Sequence, residues 1–333
     1  MNILYLLAIL LVTSLLSKRL VSPTSPPHNQ LSPCKSVVFM SKDYTTILKG
    51  VAILLIMISH FSSLWEGGRF MTPLGGTGVA LFLLASGYGL NESYKRSGLV
   101  HFWRKRISKV YFPYAIAVLI FLPFKWSGWT NLVEQFTCLK CTYWFIPYIL
   151  ACYVLFWFVS RLFPKYRIEL GGLLSIVSLL IVPELQAEQA LSFWVGLLIS
   201  EHKRKLTYLY EHPKSFMVLS FLFFMAGLAA LILKQVPQVR AFEGTIVYHV
   251  VQLCIKLPLA LALVTGLKYL WKGFSTPFVN YAGIISYELY LLHFPLYGYI
   301  GTAFYPAILI LIFSLVVGYY FHKINGHIGK LIS

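Results

Sequence analysis

The sequence predicts an all-α fold: a polytopic membrane helical bundle with about eleven transmembrane helices. Three observations carry this. First, 58% of the 333 residues are hydrophobic, 12% are charged and the mean hydropathy is +0.72, whereas a soluble domain carries about 25% charged residues. Second, apolar runs long enough for helical spans recur along the whole chain, without the weaker two-residue alternation of a membrane barrel. Third, Lys and Arg are distributed unevenly between alternate loops.

The spans are expected at about 3–17, 49–65, 74–91, 110–126, 143–160, 168–183, 190–200, 215–233, 245–267, 277–297 and 304–322. The 190–200 run is short, which suits a steep or re-entrant helix. The 277–297 run is interrupted by polar residues and Pro295, so it is expected to line the interior. NILYLLAILLVTSLL at the start lacks a positive leader and a small-residue cleavage site, and reads as an anchor that runs from outside to inside. The longest polar stretch, about Lys18 to Lys49, separates it from the rest. Residues 1–40 are therefore read as an anchor helix and cytoplasmic linker, and 41–333 as one membrane domain.

A net charge of +17 raises the question of nucleic acid, but the distribution excludes that reading. With the loops alternated, 22 of the 28 Lys and Arg fall on one side and five on the other, with Lys256 inside a span. This is the positive-inside pattern, so the heavy side is cytoplasmic, the N-terminus outside and the C-terminus inside. The expected partner of this surface is the lipid bilayer.

Five cysteines are present, of which Cys138 and Cys141 form a C-x-x-C in an outside loop. With no second pair they do not supply the four ligands of a zinc site, and no metal is expected. The spacing alone reads as two unrelated thiols, with a local disulfide as the alternative in an oxidising compartment.

The most informative segment is KGVAILLIMISH, Lys49 to His60. Eleven helical steps come to about 20° from three whole turns, so both ends share a face, about 16 Å apart. That sets an imidazole about halfway through a hydrocarbon core of about 30 Å. An ionisable side chain at that depth marks a functional site. A neutral imidazole can take a proton as a general base or act as a nucleophile itself; the sequence leaves both open.

Downstream, LGGTGVALFLLASGYGLNES carries small residues suited to close helix packing, with Ser86 and Tyr88 as candidates to face a cavity. The following loop, Lys95 to Lys109, holds six cations and no acid. It can be a charge anchor alone. Its arrangement also places Arg106 and Lys109 three apart on one helix face, with Arg104 a turn earlier, as a phosphate-binding cluster at the mouth of the bundle. Farther on, His249, Gln252 and Lys256 fall on one helical stripe. Glu288 and His293 are five apart and diverge by about 140°, so they are expected to serve different contacts, with Glu288 pairing with Lys256 or His60. Tyr143 and Trp144 stand near the outer end of a span, where a membrane-interface belt or a sugar-stacking role both fit.

Taken in order, Lys49 with ten residues before His60, LFLLASGYG, FWRKRISKVYFPY, Tyr143-Trp144-Phe145 and ISYELYLLHFPL resemble the acyltransferase-3 family of integral membrane O-acyltransferases, over about residues 40 to 325. The resemblance implies a ten-helix core to which the first span is an addition. It implies acyl transfer, most often acetyl, from cytoplasmic acyl-CoA to a hydroxyl of a cell-surface polysaccharide (exopolysaccharide, capsule or O-antigen) or its lipid-linked precursor. It implies His60 and Lys49 as catalytic, and Arg104, Arg106 and Lys109 as holding acetyl-CoA. Where the family more often has Arg, Lys109 keeps the charge without the bidentate fork. Ser86, Tyr88, Trp144, His249, Lys256, Glu288 and His293 are the expected substrate contacts. The setting would be a bacterial inner membrane, with glycan-assembly proteins as partners. The competing reading is a transporter or flippase for a polar or lipid-linked solute, against which the chain shows no convincing internal repeat.

Overall fold

A computed structural model describes residues 38–62, 68–125, 129–138, 141–297 and 304–332. The predicted first span and Cys34 lie outside the described residues. Among the described residues the secondary structure is helix joined by turns, with no strand, as predicted for an all-α fold. The first helices are α1 (Lys42–Ser62), α2 (Thr72–Ser97), α3 (Phe102–Arg106), α4 (Phe112–Lys125), α5 (Trp129–Thr137), α6 (Phe145–Leu162), α7 (Arg167–Ser178) and α8 (Glu184–Ala187). There follow α9 (Ser192–Glu201), α10 (Lys203–Glu211), α11 (Pro213–Lys234), α12 (Pro237–Arg240), α13 (Ile246–Phe274), α14 (Pro277–Ile284), α15 (Ser286–Tyr297) and α16 (Phe304–Ile332).

Six helices among the described residues are long and apolar enough to cross a membrane: α1, α2, α6, α11, α13 and the Leu309–Gly329 part of α16. The expected count of eleven is not reached by this measure. The runs read at 168–183 and 190–200 form helices of only 12 and 10 residues, about 18 and 15 Å long. Neither alone spans a hydrocarbon core.

α1 is the central helix. It packs on α2, α13, α14 and α15, and 61% of its most apolar window is buried against 11% for α11. α11 instead turns Met217, Val218, Phe221 and Leu222 outward, the face expected of a helix against lipid. α1 starts seven residues before the predicted span. The Ser41 hydroxyl accepts from the Tyr44 amide at 3.2 Å, an N-cap, and Asp43 sits in the first turn, where the helix dipole favours an acid. His60 consequently lies in the last turn of α1, near one end of the helix and not midway along it.

Glycines set the closest approaches. A Cβ at Gly50 would collide with the Val279 carbonyl of α14, and one at Gly283 with the Thr46 carbonyl of α1. The two helices thus touch backbone to backbone at two points, a contact that a larger residue forbids. α2 and α9 meet in the same way, Gly87 against Phe193 and Gly196 against Leu84.

At one end of the bundle a polar clasp joins α2, α7 and α9. Asn91 is fully buried. Its Nδ2 donates to Ser200 Oγ at 3.1 Å and Glu201 Oε2 at 3.0 Å, and its Oδ1 accepts from Arg167 at 3.2 Å. Arg167 also pairs with Glu201 at 2.9 Å. Burial works against the Glu201 charge, but Asn91, Arg167 and Lys95 outweigh it and hold the carboxyl below its usual range. Asn91→Ala leaves these partners unsatisfied and is expected to cost about 2–3 kcal/mol, seen as a lower thermal unfolding midpoint in detergent.

Candidate functional site

The central contact joins α1 to α15. His60 Nδ1 lies 3.1 Å from His293 Nε2, with the rings stacked at 5.2 Å and 24°. His293 is fully buried, and its Nδ1 lies 2.8 Å from the Leu289 carbonyl. A carbonyl only accepts, so His293 Nδ1 carries a proton and, in a neutral ring, Nε2 accepts. His60 Nδ1 must then be the donor to it. In neutral His60 the basic nitrogen is therefore Nε2, so the network assigns both tautomers from one backbone carbonyl.

An aromatic wall supports the pair. Phe294 packs on His60 at 5.8 Å, and Tyr143 on Phe294 at 5.6 Å. The Tyr143 hydroxyl donates to the Leu291 carbonyl at 2.6 Å. Tyr143 is fully buried, which overturns the belt and sugar-stacking readings for it: its hydroxyl is used inside the bundle. Trp144 is half-buried and packs on Phe145 and Tyr148.

A second polar level lies nearer the start of α1. Glu288 accepts from His322 Nδ1 at 3.0 Å and from Asn325 Nδ2 at 3.2 Å. Lys49 is attracted by Glu288 and repelled by Lys42 and Lys109. It belongs to this level; the rise between it and His60, about 16 Å, exceeds the reach of a lysine side chain. Glu288 and His293 do serve different contacts, as their spacing predicts. The expected pairing of Glu288 with Lys256 or His60 is not formed: α16 supplies its partners. Lys256 pairs with Glu188, just after α8, and both side chains are buried. The Lys256 stem fills the space that a Cβ on Gly76 would occupy.

Between the two levels is a small void of about 20 Å³, lined by Ile56, Val79, Phe82, Phe145, Tyr287 and Tyr290. It has room for about one water molecule. On its far side lies the basic segment. Residues Ile107–Tyr111 form a π turn between α3 and α4, and the Tyr287 hydroxyl donates to the Val110 carbonyl at 2.7 Å. The wider π turn undoes the expected three-residue pairing: Arg106 turns inward, while Lys109 and Arg104 are exposed. The Arg106 guanidinium lies 5.7 Å from both the Phe102 and Tyr153 ring centroids. Ser86, on α2, is half-buried. Arg106 Nε is buried without a hydrogen-bond partner.

Two expected contacts fall elsewhere. The Tyr88 hydroxyl donates to the Met40 carbonyl at 3.1 Å, and its ring lies 5.5 Å from Lys203 Nζ, so Tyr88 ties α2 to the start of α1 instead of facing a cavity. His249 is buried near the start of α13 with neither ring nitrogen hydrogen-bonded. Sequence reasoning missed His322, Asn325, Tyr153 and Glu188. An ionisable residue at the end of a span was a usable signal for His322; Glu188, read as a loop residue, gave none.

A bundle of apolar helices with paired histidines between two of its central members defines a multi-pass membrane protein with an interior polar site. The model of an acyltransferase domain, that of the acyltransferase-3 family, matches residues 43–322. The chain belongs to this family and is a membrane acyltransferase. No curated protein and no solved structure matches it.

Proposed function

We propose that the protein is an O-acyltransferase that moves an acetyl group from cytoplasmic acetyl-CoA to a hydroxyl of a cell-surface polysaccharide or its lipid-linked precursor. The single observation that carries this reading is the ordered proton path Leu289 carbonyl–His293–His60, which makes His60 Nε2 the base. His60 Nε2 takes the hydroxyl proton as the oxygen attacks the thioester carbonyl, and the CoA thiolate leaves. His293 accepts the His60 Nδ1–H and steadies the imidazolium, as an orienting partner does for a general base. Arg106, whose buried Nε has no partner in the protein, holds a CoA phosphate together with the exposed Arg104 and Lys109. Lys49 and Glu288 set the charge balance between that end and the histidines. The protein sits in a bacterial inner membrane, N-terminus outside and C-terminus cytoplasmic.

The test uses purified protein in lipid nanodiscs with radiolabelled acetyl-CoA and glycan isolated from cells lacking the protein. Label moving to glycan supports the reading; hydrolysis and transfer both staying at the rate of empty nanodiscs defeats it. In the same assay His293→Ala is expected to lower kcat by about 10²-fold or more, with little change in the acceptor KM. An unchanged kcat would remove His293 from the proton path.

A further inference from the structure

Pro295 stands inside α15, two residues after His293. A proline has no N–H to give the carbonyl four residues back, and its ring crowds that carbonyl. In α15 that carbonyl belongs to Leu291, a fully buried residue. A buried carbonyl deprived of its helical donor needs another one. The Tyr143 hydroxyl donates to it at 2.6 Å.

Tyr143 is held for this from outside α15. It lies between α5 and α6, where Gln135 grips the preceding residue with both side-chain atoms. Gln135 Oε1 accepts from the Thr142 N–H and Nε2 donates to the Thr142 hydroxyl, each at 3.1 Å. The Tyr143 carbonyl accepts from the Ile146 N–H at 2.9 Å. The Tyr143 ring meets Tyr114 edge-on at 5.6 Å, and packs on Tyr290 at 5.8 Å and Phe294 at 5.6 Å. Those last two rings also border the histidines: Tyr290 lies 6.1 Å from His293 and Phe294 5.8 Å from His60. Hydroxyl and ring thus engage the same stretch of α15, residues 290–294, that carries His293.

We propose that Tyr143 is a positioning residue for the histidine pair: its hydroxyl stands in for the amide that Pro295 lacks, and so fixes the turn of α15 that presents His293 to His60. The role rests on the base mechanism proposed above. Without the hydroxyl the Leu291 carbonyl is buried with no helical donor, and the end of α15 shifts to satisfy it. His293 Nε2 then leaves the line of the His60 Nδ1–H, and the His60 ring is no longer steadied toward the reacting hydroxyl. Reacting groups misplaced by about 1 Å can cost about 10²-fold in rate. Tyr143→Phe removes the donor while keeping the ring, so the aromatic packing stays in place.

The experiment compares Tyr143→Phe, Pro295→Ala and the double variant as full chains in nanodiscs, with radiolabelled acetyl-CoA and the glycan acceptor. Tyr143→Phe is expected to lower kcat by about 10- to 100-fold, with KM for donor and acceptor unchanged. In the Pro295→Ala background the same substitution should cost almost nothing, because an amide at position 295 again serves the Leu291 carbonyl. Pro295→Ser is run beside it, since any residue but proline restores that amide. A tyrosine that only holds the fold together would lower the unfolding midpoint in every background with no selective fall in kcat. The proposal is overturned if Tyr143→Phe keeps the full kcat, or if its loss is the same with and without Pro295. No transfer by the unaltered chain would defeat the acetyl-transfer reading and this role with it, whereas the two preceding outcomes defeat this role alone.

Discussion

His60→Ala is expected to lower acetyl transfer to glycan by about 10²–10⁴-fold, the range a positioned general base contributes. The loss should fall on kcat, because the ring acts on a proton moving in the transition state and does not anchor the donor. The protein should still insert, while the thermal unfolding midpoint should fall by the equivalent of about 1–3 kcal/mol, because the fully buried His293 loses its hydrogen-bond partner. His60→Gln keeps a polar side chain but no titratable nitrogen, and should be as inactive as alanine. Should His60 instead carry the acyl group, a brief quench with radiolabelled acetyl-CoA alone would leave label on the protein; the base mechanism leaves none. Full activity in His60→Ala would take the ring out of the reaction altogether.

The second large effect is on stability. Glu188→Gln removes the partner of Lys256, whose side chain is 10% exposed, while that of Glu188 is 3% exposed. An uncompensated buried charge costs about 3–5 kcal/mol. The ammonium cannot swing out cheaply, because its stem is packed on Gly76. The unfolding midpoint in detergent should therefore drop sharply. Combining Glu188→Leu with Lys256→Met removes both charges and should recover most of the loss, as buried ion pairs often exchange for apolar residues at little cost. Single and double losses that simply add would show that the two residues do not act as a pair.

Much of this architecture could be read from the chain because the hydrophobic pattern is local. Lys49, His60 and the apolar residues between them define one helix face without any knowledge of neighbours. The divergence of Glu288 and His293 also follows from helical geometry alone. The partners could not be read in the same way. His60 meets a residue 233 positions away, and Lys256 one 68 positions away; no periodicity encodes those pairings. The inward turn of Arg106 depends on the π turn, for which the segment ISKVY carries neither Gly nor Pro as a signal. The start of α1 was misplaced for a different reason. Its first turn is polar, and a hydropathy criterion discards the Ser41 cap that starts it.

The double backbone contact between α1 and α14 has a mechanical consequence. Two carbonyls seated in two glycine notches, with the Val279 and Thr46 side chains packed beside them, hold these segments together as one stiff unit. On the mechanism proposed above, an opening that admits the donor does not hinge at this seam. α2 is held to α1 in the same way, Gly78 against the Ala52 carbonyl, which leaves the joint at Ile285, where α14 hands over to α15, as a break in the helical path outside these seams.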